Sequence, residues 1–118
     1  MPEFKEMMIK CPKPYRMPEL ELNGKWLNEL GFSIGVMVNA HFQEGCLTLT
    51  TEPMAESNVG TLVVKPKRVR GRIRPQLLID GFMVKRLGYR IYERLGLTLK
   101  PNQIQVTPIN RYTTEIPI

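Results

Sequence analysis

One pattern recurs along the chain at a constant interval, and this repetition constrains the fold more than any other feature of the sequence. Residues 18–24 read Pro-Glu-Leu-Glu-Leu-Asn-Gly, and residues 75–81, which lie 57 positions later, read Pro-Gln-Leu-Leu-Ile-Asp-Gly. The same interval separates Leu-Gly-Phe-Ser-Ile at residues 30–34 from Leu-Gly-Tyr-Arg-Ile at residues 87–91. Because the glycines and the apolar positions stay in register without a gap, we interpret the chain as two copies of one unit.

Each copy carries the local signals of a β-α-β-β unit. Leu20 and Leu22 alternate with glutamates, which predicts a strand with one buried face. The dipeptide that follows, Asn23-Gly24 in the first copy, favours a tight turn. Gly31 and Gly88 suit the left-handed end of a short helix. The remaining predicted elements are helices over residues 25–30 and 82–87 and strands over residues 36–42, 46–51, 95–99 and 103–107.

One unit is too short to bury a core alone, so the two units are expected to share one. We therefore predict a mainly β protein in which two pseudo-symmetric units, each with one short helix, close a single barrel about a pseudo-twofold axis. Such a chain is either a monomer that mimics a dimer or part of a homodimer. The predicted organisation is an N-terminal arm (1–17), a first unit (18–57), a basic connecting strand (58–74), a second unit (75–110) and a C-terminal tail (111–118).

Composition and charge exclude several classes of protein. The chain has 17 basic and 11 acidic residues, a formal net charge of +6 and a pI near 9.6, which favours a polyanionic partner. No apolar run approaches the roughly 20 residues that span a bilayer, and the first residues lack the character of a secretory signal. We therefore expect a cytoplasmic protein that does not enter a membrane. Cys11 and Cys46 lack the spacing of a zinc site, and we predict no metal and no cofactor.

The strongest functional signal is the basic connecting segment. Lysine or arginine occupies six of the ten positions 65–74, and no acidic residue occurs between Glu56 and Asp80. In a single strand, every second side chain points to one face, so the arginines would form a row that pairs with successive phosphates. We predict binding of RNA or DNA, mainly through phosphate contacts; a solvated basic edge strand is the alternative. The predicted binding residues are Lys65, Lys67, Arg68, Arg70, Arg72, Arg74, Lys85, Arg86, Arg90 and Arg94.

The first copy also carries a pattern that resembles the SymE toxin family. The pattern consists of a proline and alternating aliphatic residues, then Gly-Lys-Trp-Leu at 24–27, Gly-Phe at 31–32 and Glu-Gly-Cys at 44–46. The SymE family is similar to the AbrB and MazE proteins, which are swapped-hairpin barrels that bind nucleic acid as dimers. The resemblance implies that fold, in which two units exchange strands, and the RNA endonuclease activity of a type I toxin.

The second copy departs from the family pattern. It has Met83, Tyr92 and Asn102 at the positions that Trp26, Gly35 and Gly45 occupy in the first copy. One interpretation is a diverged second unit, which makes the chain a single-chain version of the family's dimer. The other is one SymE-like unit followed by an unrelated basic extension.

No catalytic site is evident from the residues themselves. Metal-independent RNA cleavage needs a base near the 2′-hydroxyl group and an acid for the leaving oxygen. The only histidine, His41, and Glu44, three residues later, are weak candidates for these roles. No cluster of carboxylates predicts a metal-dependent nuclease. Three hypotheses remain open: a nucleic-acid-binding protein, an RNA endonuclease toxin, and an antitoxin-like module whose terminal arms grip a partner protein.

Overall fold

The computed structural model describes residues 3–9, 19–43, 45–53, 60–89 and 93–109. These residues form a mainly β structure with two short helices, which confirms the predicted class. Its elements, in chain order, are β1 (Glu3–Met8), β2 (Leu20–Asn23), α1 (Lys25–Glu29), β3 (Met37–Gln43), β4 (Cys46–Thr50), β5 (Gly60–Val63), β6 (Lys65–Val69), β7 (Arg72–Ile79), α2 (Gly81–Leu87), β8 (Arg94–Lys100) and β9 (Gln103–Pro108).

The described strands form two antiparallel sheets. The larger sheet has the order β1-β8-β9-β4-β3-β5, and the smaller has the order β2-β7-β6. Because β1 and β5 are edges of the larger sheet, these strands do not close into the single barrel that we expected. The chain leaves the larger sheet at Val64, whose backbone N–H donates to the Val36 carbonyl at 3.0 Å, and enters the smaller sheet as β6. The two sheets therefore share a core without joining edge to edge.

The strands that join the two halves of the chain pair in a symmetrical register. β4 pairs with β9 so that Leu47 lies opposite Val106 and Leu49 lies opposite Ile104. These two pairs are equivalent by the interval of 57 residues, because Leu47 corresponds to Ile104 and Leu49 corresponds to Val106. β2 and β7 are related in the same way. β1 lies on β8, and β5 lies on β3, so each edge strand pairs with the hairpin of the opposite half.

One apolar core lies between the two sheets. Leu22 of β2 and Leu49 of β4 are fully buried, as their alternation with polar residues predicts. Phe32 follows α1 and is fully buried, and Tyr89 occupies the corresponding place after α2 with 6% of its surface exposed. Fully burying an apolar side chain of this size contributes about 1.5–3 kcal/mol, so Phe32 and Tyr89 help to hold the helices together with the buried Leu27 of α1 and Val84 of α2.

A left-handed glycine follows each helix, as the sequence predicts. In α2 the Asp80 carboxylate accepts a hydrogen bond from the Met83 backbone N–H at 3.0 Å, and Gly88 at the C-terminal end has a φ of 80°. Gly31 lies two residues after the end of α1 and has a φ of 95°. A left-handed conformation costs least in glycine, so these residues stop each helix sharply. Neither helix is long and apolar enough to cross a membrane, and no other helix among the described residues is.

The N-terminal segment differs from the predicted arm. Residues 3–8 form the edge strand β1, in a register that runs from Glu3 opposite Leu99 to Met8 opposite Arg94. Ile9, which follows the strand, is fully buried. Charged residues interrupt the apolar alternation here, and the strand is held by backbone pairing to β8, so the sequence carries little periodicity that could reveal it. The predicted tail, residues 111–118, lies outside the described residues.

Candidate nucleic-acid interface

The basic segment folds into a hairpin, whereas the sequence analysis predicted a single strand over residues 58–74. β6 and β7 pair with Lys67 opposite Arg74 and Val69 opposite Arg72. The two residues between these strands, Arg70 (φ 51°) and Gly71 (φ 80°), both have positive φ. Two successive positive φ values give the tight turn whose twist matches that of the flanking strands. We call residues 65–74 the arginine hairpin.

The turn also changes which side chains share a face, so the predicted row of four arginines is not formed. Cross-strand partners of an antiparallel pair point to the same side of the sheet. Arg68 therefore lies with Ile73 on one face, and Arg70 lies in the turn between the strands. The opposite, outer face carries Lys65, Lys67, Arg72 and Arg74. Positive charge thus surrounds the end of the arginine hairpin on both faces.

Most of these basic side chains are open to solvent. Lys65, Arg68, Arg70 and Arg72 are exposed, and Lys67 and Arg74 are half-buried. The Nε atom of Arg74 is buried and makes no hydrogen bond within the described part of the chain. A buried donor without an acceptor costs about 1–3 kcal/mol, so an acceptor that reached this nitrogen would be bound favourably.

Glu21 of β2 holds the arginine hairpin against the rest of the smaller sheet. Its carboxylate accepts hydrogen bonds from Lys67 Nζ and from Asn23 Nδ2, the latter at 2.7 Å. Burial raises the pKa of Glu21, but hydrogen bonds from Lys67, Gln76 and Asn23, together with the charge of Lys67, lower it below its ordinary value. The sequence carries no local signal of this contact, because its partners lie 46 residues apart in the chain.

The other predicted binding residues are placed away from the arginine hairpin. Lys85 and Arg86 are exposed in the last turn of α2, which begins beyond Ile79. At about 3.3 Å per residue, that end of β7 lies roughly 23 Å from the hairpin turn. Arg94 begins β8 in the larger sheet, and its guanidinium donates to the Glu6 carboxylate at 2.6 Å. Arg90 lies outside the described residues.

His41 lies on the larger sheet, on the face opposite to its buried neighbour Ala40. The strand register aligns it with Thr48 of β4, Gln105 of β9 and Thr98 of β8 in one row of polar residues. Glu44, the predicted partner of His41, lies outside the described residues. Within the described ranges, no group of three or more His, Cys, Asp or Glu residues could hold a metal ion.

Comparison with known proteins identifies the first part of the chain. Residues 10–51 match the family described as "Toxin SymE, type I toxin-antitoxin system". Similar curated proteins are "Endoribonuclease SymE" of Escherichia coli O157:H7 (strain EC4115 / EHEC), the protein of the same name in Shigella flexneri serotype 5b (strain 8401), and "Toxic protein SymE" of Escherichia coli (strain K12). Each is 41% identical over 46 residues, which are 39% of this chain and 41% of the relative.

The match is partial on both sides. The chain spans about two fifths of the length of these curated relatives. The matched stretch includes β2, α1, β3 and β4, whereas the arginine hairpin lies beyond it. No solved structure matches the chain significantly. The matched stretch contains Gly-Lys-Trp-Leu at 24–27 and Gly-Phe at 31–32, on which the resemblance rested, so that resemblance is confirmed. Residues 10–51 of the chain are therefore similar to the SymE family.

Proposed function

We propose that this protein is a SymE-type toxin that binds RNA through the arginine hairpin. The observation that carries the proposal is the concentration of exposed positive charge at one end of a two-stranded ribbon. Three exposed arginines surround that end, Arg68, Arg70 and Arg72, and the exposed Lys65 lies at the other end of β6. Guanidinium groups pair with phosphate oxygens through two parallel hydrogen bonds, so the ribbon suits a nucleic-acid backbone. The names of the curated relatives favour RNA over DNA as the ligand.

Binding of this kind is led by the backbone of the nucleic acid. Phosphate contacts position a strand without reading its sequence, and they make the affinity fall steeply with salt. The half-buried Arg74 contributes a donor, Nε, that lacks an acceptor among the described residues. A phosphate oxygen would supply such an acceptor after the Arg74 side chain turned outward, because Nε is buried. Lys67 contributes less, because its charge is already paired with Glu21.

RNA cleavage is the second candidate function, and the endoribonuclease name of the relatives favours it. His41 is the single histidine of the chain, and histidine is the side chain that most often transfers protons in catalysis. Its row on the larger sheet, with Thr48 and Gln105, offers polar side chains that could hold a ribose or phosphate group. In this proposal His41 takes the proton of the 2′-hydroxyl group, and the 2′ oxygen bonds to the neighbouring phosphorus as the bond to the 5′ oxygen breaks. Glu44, the proposed partner of His41, gives a proton to the leaving oxygen.

The two halves of the chain are proposed to be diverged copies of one SymE-like unit. The symmetrical register of β4 with β9 and of β2 with β7 supports this proposal. The exchange of edge strands, β1 onto β8 and β5 onto β3, supports kinship with swapped-hairpin folds. In those folds two chains supply the two units, whereas here one chain supplies both.

A charge-matched pair of variants tests the binding proposal. The first variant replaces Arg68, Arg70 and Arg72 with glutamine. The control replaces Lys85, Arg86 and Lys100 with glutamine; these residues are exposed outside the arginine hairpin. Loss of three phosphate contacts should lower the slope of log affinity against log salt by about 2 on single-stranded RNA, as measured by fluorescence anisotropy. The control should keep most of its slope. Equal losses in both variants would contradict a site at the arginine hairpin.

The same proteins distinguish three functions of the basic and polar residues: RNA binding, RNA cleavage, and prevention of aggregation at the edge of the smaller sheet. Labelled RNA is run on native and denaturing gels with wild-type protein and with the variant His41→Ala. Intact shifted RNA supports binding alone, and fragments that disappear in His41→Ala support the cleavage proposal.

β6 is also an edge of the smaller sheet, where charge can prevent aggregation. If the hairpin variant aggregates but binds RNA normally, the basic residues serve that structural purpose instead.

A further inference from the structure

We propose that a groove beside the arginine hairpin receives one unpaired base of the bound RNA, stacked on Trp26. The inference rests on the proposed RNA-binding function and adds to it the part of the ligand that this groove takes. The groove lies between β1 and β2 and has a volume of about 270 Å³. We call it the Trp26 groove, and its lining includes Lys5, Met7, Glu19, Glu21, Asn23 and Trp26.

The indole ring of Trp26 is held in a fixed orientation. Its Nε1–H donates a hydrogen bond to the backbone carbonyl of Asn23 at 2.9 Å. Gly24 permits this position, because a Cβ atom there would lie 2.8 Å from Trp26 Cδ1. A ring that is already ordered loses little conformational entropy when a ligand binds. Trp26 is therefore a preorganised platform for stacking.

The half-buried Trp26 ring packs against the core, and a side chain that can move lies over it. Lys5 Nζ lies 5.0 Å from the ring centroid, and Lys5 is exposed to solvent. A cation at this distance is attracted to the ring face, but an exposed lysine keeps little of that energy. A nucleobase that stacks on the ring displaces the ammonium group, which then lies where it can meet the phosphate of the same nucleotide. The groove thus offers a partner to both the base and its backbone.

The Trp26 groove is continuous with the arginine hairpin. Glu21 lines the groove, and the same carboxylate binds Lys67 of β6. A strand of RNA whose phosphates lie along the arginine hairpin therefore has a neighbouring base next to the groove. Unpaired RNA is recognised in this way by many proteins, which stack its bases on aromatic side chains. A base-paired duplex keeps its bases inside the helix and cannot fill the groove.

A second groove in the molecule serves as an internal comparison. It lies between β5 and β7 and has a volume of about 320 Å³. Five of its lining residues lie 57 positions after residues of the Trp26 groove. Leu62, Gln76 and Leu78 occupy it where the Trp26 groove has Lys5, Glu19 and Glu21. The second groove has a cation, Lys65, and one carboxylate, Asp80, but no aromatic ring lines it. The fold therefore does not require an aromatic ring at this position, and the presence of Trp26 in the first groove points to a ligand.

Trp26 is the only tryptophan of the chain, so its fluorescence reports on the groove alone. Wild-type protein is titrated with a short oligoadenylate RNA, and binding is followed in parallel by the anisotropy of a labelled strand. We expect the emission of Trp26 to be quenched with the same midpoint as the anisotropy change. Inorganic polyphosphate, which has no bases, should bind the arginine hairpin without that quenching. Anisotropy that rises while the emission stays constant would overturn the inference and leave the proposed RNA binding intact.

Variants give a second, independent measurement. Trp26→Leu should weaken binding of the oligoadenylate by about fivefold to a hundredfold, the range typical of one stacked base. Trp26→Phe keeps an aromatic ring and should retain most of the affinity. The control is Met83→Leu, at the position 57 residues later, which should bind like wild type. Equal affinity of Trp26→Leu and wild type would overturn the inference, and absence of RNA binding by wild type would overturn the proposed function as well.

Discussion

Tyr89 shows how one side chain connects the two halves of the molecule. Its hydroxyl group lies 3.2 Å from the Gly45 carbonyl and 3.3 Å from the Val106 carbonyl, and it donates to these acceptors. Its ring meets Phe42 edge to face, with the ring centroids 6.2 Å apart. Burial, followed by the negative charges of Cys46 and Glu93, raises the pKa of Tyr89 far above its ordinary value. The neutral phenol is therefore the form that the folded protein requires.

The raised pKa of Tyr89 predicts a loss of stability in alkaline solution. A group whose pKa is higher in the folded state stabilises the protein fully below its unfolded pKa, about 10 for tyrosine, and loses that contribution as the pH rises above it. Tyr89→Phe should lower the free energy of unfolding by about 1 kcal/mol at neutral pH, through the lost hydrogen bond. Urea unfolding at increasing pH should show the difference between wild type and variant shrinking, then reversing, above about pH 10. A constant difference across that range would contradict the prediction.

Among the elements, the arginine hairpin depends on its two-residue turn. Arg70 and Gly71 both adopt positive φ, a conformation that costs an L-residue roughly 1–2 kcal/mol. Glycine avoids that cost, whereas Arg70 bears it. The turn brings Arg68 and Arg72 to the same end of the ribbon, so the clustering of charge is a property of the hairpin and not of the segment's composition.

This turn predicts opposite effects for two substitutions. Gly71→Ala should lower the free energy of unfolding by about 1–2 kcal/mol, because alanine has a Cβ atom that opposes positive φ. Arg70→Asn should leave stability unchanged or raise it by a few tenths of a kcal/mol, since asparagine tolerates this conformation. Urea unfolding monitored by circular dichroism measures both. Equal effects of the two substitutions would show that the turn does not keep these φ values in solution.

At the scale of the whole molecule, strands of the second half of the chain pair directly with strands of the first half. β9 covers β4, and β8 offers its edge to β1. One apolar core includes buried residues from both halves, such as Leu22 and Leu77 from the smaller sheet and Leu49 and Ile104 from the larger. The pairing of the two halves therefore takes place within one chain.

This arrangement predicts that the protein is a monomer. Sedimentation equilibrium at micromolar concentration should give a mass near 13.6 kDa, because the surfaces between the two halves are already filled. The measurement is repeated after Phe4→Ser, since Phe4 on the edge strand β1 is 65% exposed and an exposed apolar edge favours association. A mass twice that of the chain, unchanged by Phe4→Ser, would show that a second copy is required.

Local sequence patterns were enough to predict the elements formed by near neighbours. Both helices, with Gly31 and Gly88 after them, and the paired strands β3–β4 and β8–β9 follow from alternation and turn residues, because these signals act over a few positions. The buried faces of β2 and β4 follow from the same alternation. The basic residues of the arginine hairpin were identified as well, since charge is visible in composition.

Only the tertiary structure established the strand pairings and side-chain contacts between residues that are distant in the chain. Alternating arginines predict a single strand equally well, and only the pairing of β6 with β7 makes Arg70 and Gly71 a turn. Lys5 reaches Trp26 because β1 is held by β8. Glu21 reaches Lys67 because β2 and β6 lie on opposite sides of β7 in the smaller sheet. Such contacts leave no periodic signal in the sequence, since each one results from the register of whole strands and not from the spacing of neighbouring residues.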